Sequence, residues 1–312
     1  MSDAGAVSNT NGAGPGVVAI WFRAVRAPSL TAAAMPVLLG GAIAARAGYF
    51  SFFRLVLALA GSLAMQAGTN LINDYYDHQS GADAADSLGP SLVIQQGLLT
   101  ADQVWWGGIV AFGIGAAFGL LLVKLCGWPI LLIGILSVAA GYFYTAKPVA
   151  LAYAALGELT VFVFMGPVIV LAAYYVNALA FSSTALIASI PVGFLVTGIL
   201  HANNIRDIDS DRLHGKRTLA TILGRRGANY ELVALNLAAF ATVVVAVWLR
   251  ALPWITLITL LAVRRAFDQM RIVFRETAPQ RLNLALFRAV QLHLEFGVLM
   301  IIAFMLAMAF GW

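Results

Sequence analysis

The chain has little cysteine and little charge, and few polar residues interrupt its apolar runs. Cys126 is the only cysteine among 312 residues, so an intramolecular disulfide and a metal site built from several thiolates are both excluded. Its own reading is a small apolar filler. Charged residues make up 11% of the chain and apolar ones 61%, against about 25% and about 45 to 50% in soluble domains. With a mean hydropathy of +0.88, this composition excludes a water-solvated globule and predicts an all-α, polytopic helix bundle in a bilayer. No soluble basic face is present, so the sequence pI of about 9.6 reflects topology and anionic lipid, not nucleic acid.

Residues 1–20 form an expected disordered tail, followed by a single membrane domain over 21–312. The first 16 residues are mainly Ala, Gly, Ser and Asn, with Asp3 but no basic start or apolar core. They read as disordered and not as a cleaved signal peptide. Trp21 to Arg26 (WFRAVR) is amphipathic and suits the membrane surface, with Arg23 and Arg26 at phosphate level. A span needs about 20 apolar residues. The sequence offers nine candidates: 28–46, 52–73, 103–123, 128–145, 154–176, 184–204, 230–249, 251–270 and 290–311. The eighth is purely apolar only as far as Val263. With a cytoplasmic amino terminus, every Lys and Arg except Arg46, Arg54, Lys124 and Arg250 falls inside, as the positive-inside rule requires. The expected setting is a bacterial cytoplasmic membrane with its polar loops facing the cytoplasm.

Two stretches break the apolar pattern. Asn-Leu-Ile-Asn-Asp-Tyr-Tyr-Asp-His-Gln-Ser-Gly-Ala-Asp at 70–83 ends one apolar run, and Asn-Asn-Ile-Arg-Asp-Ile-Asp-Ser-Asp at 203–211 ends another. Asn73 in the first and Asn203 in the second lie 130 residues apart, which reads as a weak internal repeat or as convergence on one chemistry. Acids at the end of a span are costly unless they face a cavity, a partner or a cation. Residues four apart share a helix face, so Asn70 pairs with Asp74 and Asn73 with Asp77, while Asn203, Asp207 and Asp211 form an expected continuous stripe. Oxygen ligands of this kind suit Mg²⁺, which is commonly completed by substrate phosphates. Arg206, Lys216 and Arg217 are placed to neutralise remaining phosphate oxygens. Asp86, Asp102 and Asp209 read instead as solvated helix ends or caps.

These stretches, NDYYDHQSGAD at 73–83 and NNIRDIDSDRLHGKRTLATILG at 203–224, resemble the two Asp-rich motifs of the UbiA superfamily of intramembrane prenyltransferases. WFRAVRAPSLTAAAMPVLLG at 21–40, YTAKPVALAYAALGELTVFVFMGPVIVLAAYYV at 144–176 and LHLEFG at 292–297 are similar to its 1,4-dihydroxy-2-naphthoate prenyltransferase branch. The resemblance implies nine transmembrane helices around a central cavity open to lipid. It implies Mg²⁺ and a polyprenyl diphosphate positioned by Asn73, Asp77, Asp207 and Asp211, with Asn70, Asp74, Asp83, Asn203 and Asn204 in support. An aromatic acceptor would sit near Tyr144, Lys147 and Glu158. The implied reaction is transfer of the prenyl group to 1,4-dihydroxy-2-naphthoate with loss of CO₂, giving demethylmenaquinone. The other acceptors of the superfamily, 4-hydroxybenzoate, homogentisate, a tetrapyrrole or a sugar phosphate, remain alternatives.

Two departures from the pattern stand out. Leu92 occupies the place of an Arg that the family usually carries in its diphosphate loop, and Thr-Ala-Lys-Pro at 145–148 replaces the branch's more usual Thr-Gly-Gly-Pro. Lys147 is the sequence-level candidate to compensate for Leu92. His201 reads as a helix-packing residue, and His293 and Glu295 as hydrogen-bonded packing residues. A cation-coupled transporter is the competing class, and it would place its acids near mid-bilayer.

Overall fold

The structure, a computed structural model, describes residues 16–81 and 91–311; Asp83 and Asp86 lie outside them. Twelve α-helices follow in order among these residues. α1 (Val17–Ala24), α2 (Thr31–Arg46), α3 (Phe52–Ser80), α4 (Ala101–Cys126) and α5 (Trp128–Tyr142) form the first half. α6 (Gly157–Val163), α7 (Ile169–Ala178), α8 (Ser183–Arg206), α9 (Ile208–Leu213), α10 (Leu219–Trp248), α11 (Val263–Arg275) and α12 (Pro279–Ala309) complete the chain. α1 begins four residues before the expected Trp21 start, inside the segment assigned to the tail.

Among the described residues, seven helices are long and apolar enough to cross a membrane, counting Ala27–Arg46 and Gly157–Ala178 as one each. The expected fourth span is the 15-residue α5, and the expected eighth is composite: a 3₁₀ segment at Trp254–Ala262 passes into α11 at Val263. That junction is where the purely apolar run ends and Arg264 and Arg265 begin.

Helix starts follow local chemistry. The Thr100 hydroxyl accepts from the Gln103 backbone N–H while the Gln103 side chain accepts from the Thr100 N–H, a reciprocal cap with Asp102 in the first turn. Small residues let the helices approach closely where lipid supplies no hydrophobic drive between them. A Cβ on Gly40 of α2 would lie 2.6 Å from the Val170 carbonyl oxygen, and one on Gly166 would lie 2.7 Å from the Gly193 Cα. The Gly166 contact falls in a π-turn, Phe164–Val168, that joins α6 to α7 and includes Pro167.

The main core joins α2, α7, α8, α10, α11 and α12 around Leu39, Phe240, Phe296 and Phe304. α3 packs along α4, and α5 closes one side of the space left between these two groups. Glu295 is held by Arg264 (3.2 Å) and Arg265 (2.8 Å). His293 differs from expectation: both ring nitrogens are buried with no hydrogen-bond partner among the described residues.

Candidate active site

Between the two groups of helices lies a cavity of about 1320 Å³. One end is polar, lined by Arg23, Arg26, Ser29, Gln66, Asn70, Asn73, Asp77, Tyr144, Thr145, Asn203, Asn204, Arg206, Lys216 and Asn283. The rest is apolar, running past Ala58, Gly61 and Met65 of α3, Leu122 of α4, Ile130 and Ile133 of α5, and Val168 to Val176 of the α7 region. Both Ala58 and Asp77 touch it, so it follows α3 for roughly 28 Å at about 1.5 Å rise per residue. The charged groups that α3 and α8 give this wall, Asp77 near the end of α3 and Arg206 at the end of α8, therefore sit at helix ends and not half-way along, as suits a phosphorylated lipid better than a transporter.

The first motif lies on an unbroken helix. Asn70 donates to the Val25 carbonyl (2.9 Å) and to the Ser29 hydroxyl (3.0 Å). Asp74, one turn on, pairs with Arg26 and accepts from Ser91. Asn70 and Asp74 thus tie the amino-terminal segment and the loop before α4 to α3, with Asp74 set behind the cavity wall. Asn73 accepts from Thr145 (2.9 Å) through its carbonyl oxygen, which leaves its NH₂ group for the cavity. Asp77 accepts from the Tyr153 hydroxyl (2.7 Å), which also lies 2.8 Å from the Ser80 hydroxyl.

The second motif is bent. α8 stops at Arg206, Asp207 has φ −98° and ψ 9°, and α9 starts afresh at Ile208. The expected continuous stripe is therefore broken at Asp207. Asn203 still donates to Asp207 (3.2 Å), but Arg206 clamps the same carboxylate through Nε (2.7 Å) and a terminal nitrogen (2.6 Å). Arg206 also donates to Asn203 (2.9 Å) and Asn283 (2.7 Å). Most of its donors are thus engaged within the protein, and Asp207 is neutralised before any substrate arrives.

Asp211 differs. Its Oδ2 is buried without a hydrogen-bond partner, while Oδ1 lies 3.8 Å from Lys216 Nζ. Burial pushes its carboxyl up to about 7, with Asp207 and Asp77 adding to the rise and Lys216 opposing it. Lys216 lines the cavity, and its ammonium sits 5.3 Å from the centre of the Tyr153 ring. Burial works against its charge, but Asp77 and Asp211 outweigh this and hold its pKa above the ordinary range. Burial, reinforced by Glu158 for Tyr144 and by Asp77 for Tyr153, raises both phenols, so each stays a neutral hydroxyl.

A divalent cation fits this donor set at one point in particular. Asp211 Oδ2 is buried with no hydrogen-bond donor, and Lys216, 3.8 Å from the other oxygen, is the cation nearest to it. No group of three or more His, Cys, Asp or Glu placed to hold a metal ion occurs among the described residues.

Six of the described sequence candidates do not line the cavity: Asp74, Asp207 and Asp211, the last two held against the lining residues Arg206 and Lys216, together with Lys147, Arg217 and Glu158. Lys147 is exposed and does not line it. Arg217 is exposed too, and contributes its backbone carbonyl, which accepts from Ala155 N–H (2.7 Å). Glu158 is buried behind Asn204, which donates to it (2.8 Å). Leu92 is also absent from the lining and holds a left-handed backbone (φ 52°). The sequence reading missed Tyr153, Ser29, Gln66 and Asn283, and it placed Arg23 and Arg26 at the membrane surface without assigning them to the site. A tyrosine in the loop between two spans, near Tyr144, was the available signal for Tyr153.

The fold and this divided cavity define a helical membrane enzyme acting on an amphiphilic substrate. Comparison with known proteins makes the assignment specific. The model of the UbiA prenyltransferase family matches residues 33–292, and the chain belongs to that family. The 1,4-dihydroxy-2-naphthoate octaprenyltransferase of Bacillus subtilis is 30% identical over 289 residues, covering 92% of this chain and 93% of that protein. The protein of the same name from Mycobacterium tuberculosis is 35% identical over 234 residues, covering 75% and 79%. The fold is shared with a UbiA homologue from Aeropyrum pernix (TM-score 0.66, 18% identity, 87% of this chain and 97% of that one). It is shared as well with one from Archaeoglobus fulgidus bound to DMAPP and Mg²⁺ (TM-score 0.61, 17% identity, 90% and 98%). The protein is a prenyltransferase of the membrane.

Proposed function

We propose that the protein transfers a polyprenyl group from an allylic diphosphate to 1,4-dihydroxy-2-naphthoate, with loss of the ring carboxylate as CO₂, to give the quinol form of demethylmenaquinone. The observation that carries this reading is the division of one cavity into an end of carboxylates, amides and cations and a long apolar remainder. The names of the two bacterial relatives favour the naphthoate acceptor.

The diphosphate lies at the polar end, with Lys216 and the NH₂ group of Asn73 donating to its oxygens. Asp77 and Asp211 would hold Mg²⁺, with Asp207 and Asn203 beside them in the Arg206 clamp. Bound Mg²⁺ supplies charge neutralisation to the departing diphosphate. The allylic C–O bond breaks and its electron pair leaves with the diphosphate. Apolar walls keep water from the allylic cation, while fixed charges at the polar end stabilise the anion that forms beside it. The electron-rich ring carbon that bears the carboxylate, held near Tyr144, attacks the cation and becomes tetrahedral. Loss of CO₂ returns an electron pair to the ring and restores aromaticity.

On this reading the acidic motifs face the cytoplasm of a bacterial inner membrane, and a polyprenyl diphosphate, an aromatic acid and the surrounding lipid are the partners. Purified protein should be incubated with Mg²⁺, several aromatic acceptors and allylic diphosphates of several lengths, with products read by mass spectrometry. Prenylated naphthoquinol lacking the carboxylate is the expected product. Turnover of 4-hydroxybenzoate or homogentisate in preference to the naphthoate would replace the acceptor and keep the reaction class.

A further inference from the structure

Behind the cavity wall, α6, α8 and α10 bring together a buried polar group that the steps above leave unused. His201 has no exposed surface. Its Nε2 lies 2.9 Å from the Ala228 carbonyl oxygen, and its Nδ1 lies 3.3 Å from Glu158 Oε1. A backbone carbonyl only accepts, so Nε2 carries a proton, and the second ring nitrogen shares one with Glu158. Glu231 of α10 stands 3.5 Å from Nε2 on the far side. The same Glu158 Oε1 accepts from the Asn204 side chain at 2.8 Å.

This arrangement fixes the direction of one amide. Asn204 is 4% exposed and lines the cavity. Because a carboxylate cannot donate, the Asn204 NH₂ must face Glu158, and its carbonyl oxygen is left to the cavity with no hydrogen bond among the described residues. Asn73 shows the opposite orientation, its carbonyl held by Thr145 and its NH₂ free for the cavity. One amide therefore offers donors, which suit phosphate oxygens. The other offers an acceptor, which a naked phosphate oxygen cannot use and a hydroxyl can. Beside Asn204 the wall is Tyr144 and Gly157, where an added Cβ would lie 3.1 Å from the Tyr144 hydroxyl and so close the space.

We propose that the Asn204 carbonyl is the acceptor-substrate subsite, receiving a hydrogen bond from a ring hydroxyl of an aromatic diol, with Glu158 and His201 as positioning residues that prevent the amide from turning over. The proposal rests on the reading of the protein as an aromatic prenyltransferase and names how that acceptor is recognised. Asn204 touches the substrate; Glu158 and His201 act through it. A Gln at 158 can donate as well as accept, so it releases the Asn204 amide while keeping the shape of the site.

The experiment compares wild type, Asn204→Ala, Asn204→Ser and Glu158→Gln, each full-length in detergent and checked for fold by its elution profile and thermal unfolding. Michaelis constants are measured separately for the diol acceptor and for the prenyl diphosphate. A neutral hydrogen bond predicts a roughly five- to tenfold rise in the acceptor KM for Asn204→Ala and Glu158→Gln, with the diphosphate KM within about twofold and partial recovery in Asn204→Ser. Against a monomethyl ether of the hydroxyl concerned, wild type and Asn204→Ala should be indistinguishable, since the bond is already gone. Calorimetric titration of the diol into protein without diphosphate or metal should show the same loss of affinity. Should Glu158→Gln fail to fold, the Asn204 variants and the methyl ethers decide alone. A rise confined to the diphosphate KM, or to the Mg²⁺ requirement, would make Asn204 part of the diphosphate site and overturn the proposal; unchanged acceptor binding would do the same. A wild type that neither binds nor prenylates any aromatic diol sinks the underlying aromatic reading, whereas normal turnover with an unaffected Asn204→Ala sinks only this one.

Discussion

The two acidic motifs have nearly the same residues and are used differently. On α3 the helix runs straight through Asn70, Asn73, Asp74 and Asp77, and its polar groups divide by face. Asp74 binds other parts of the chain behind the cavity wall, Asn70 does so while lining the cavity, and Asn73 and Asp77 reach the cavity. At the end of α8 the helix breaks at Asp207, the broken residue is locked to Arg206, and Asp211 is turned into a buried position beside Lys216. Similar motif chemistry therefore yields a rigid wall in one place and a charged, unsatisfied ligand in the other. Among the described residues, Asp211 is the carboxylate of the two motifs that keeps a buried oxygen without a hydrogen-bond donor.

Chelation tests both motifs at once and has the largest expected effect. EDTA should abolish turnover, and Mg²⁺ or Mn²⁺ should restore it, because every proposed ligand is an oxygen atom. Full turnover in chelator would remove the shared metal role from the pair.

Asp211→Asn separates the second motif from the first. It should lower kcat/KM by roughly 10²- to 10³-fold, the size expected for loss of one electrostatic contact to the leaving group. It should also raise the melting temperature of the metal-free protein at pH 8 by a few degrees, because it removes a buried charge. The sign follows from linkage: the folded carboxyl titrates near about 7, above its ordinary 3.8, so the folded state binds more protons between those values. Stability of the metal-free wild type should therefore fall as pH rises through that window and level off above about 7, and Asp211→Asn should flatten this fall. Metal affinity should move the opposite way, rising up to about pH 7. Metal-free stability that is independent of pH would show that Asp211 carries no such strain.

Lys216 and Lys147 sharpen the comparison at the next level. Lys216→Gln should raise the prenyl diphosphate KM by about one to two orders of magnitude, the equivalent of a charge-assisted contact of roughly 1.5 to 3 kcal/mol. Lys147→Ala should leave it within about twofold. The cation that offsets Leu92 is then Lys216, already placed in the cavity wall, and a large effect at Lys147 instead would reverse that assignment.

Asp74→Asn should have the smallest effect. It weakens the hold on Arg26 and Ser91 without touching substrate, so it should lower the melting temperature more than it changes either Michaelis constant. A selective loss of diphosphate affinity would move Asp74 from the scaffold into the site.

Much of this was legible in the sequence because helix periodicity is a local rule. Asn73 and Asp77 lie one turn apart wherever α3 is helical, and the apolar runs before each motif announced the bundle. The break at Asp207 was not legible, since no Gly or Pro marks it; the Arg206 clamp and the return of the chain at Lys216 accompany it. Lys147 was misplaced for a related reason. Being on the right side of the membrane fixes depth but not which way a loop faces, and that loop turns Lys147 outward while Thr145 faces Asn73. Tyr153 joins Asp77 and Ser80 across more than 70 positions, a distance over which no periodicity carries information. The pairing of His201 with Glu158 is hidden in the same way.

The one-ended polarity of the cavity has a consequence for how a turnover finishes. Before reaction, a single molecule holds both a charged head and a hydrocarbon tail, and neither water nor lipid alone solvates it well. Cleavage separates these halves into two molecules with opposite partition preferences. The diphosphate belongs in water, while the prenylated ring belongs in hydrocarbon. Each leaves down its own solubility gradient and neither gains from returning by the other's route, so demixing of the products gives the cycle a direction that the transfer step alone does not supply.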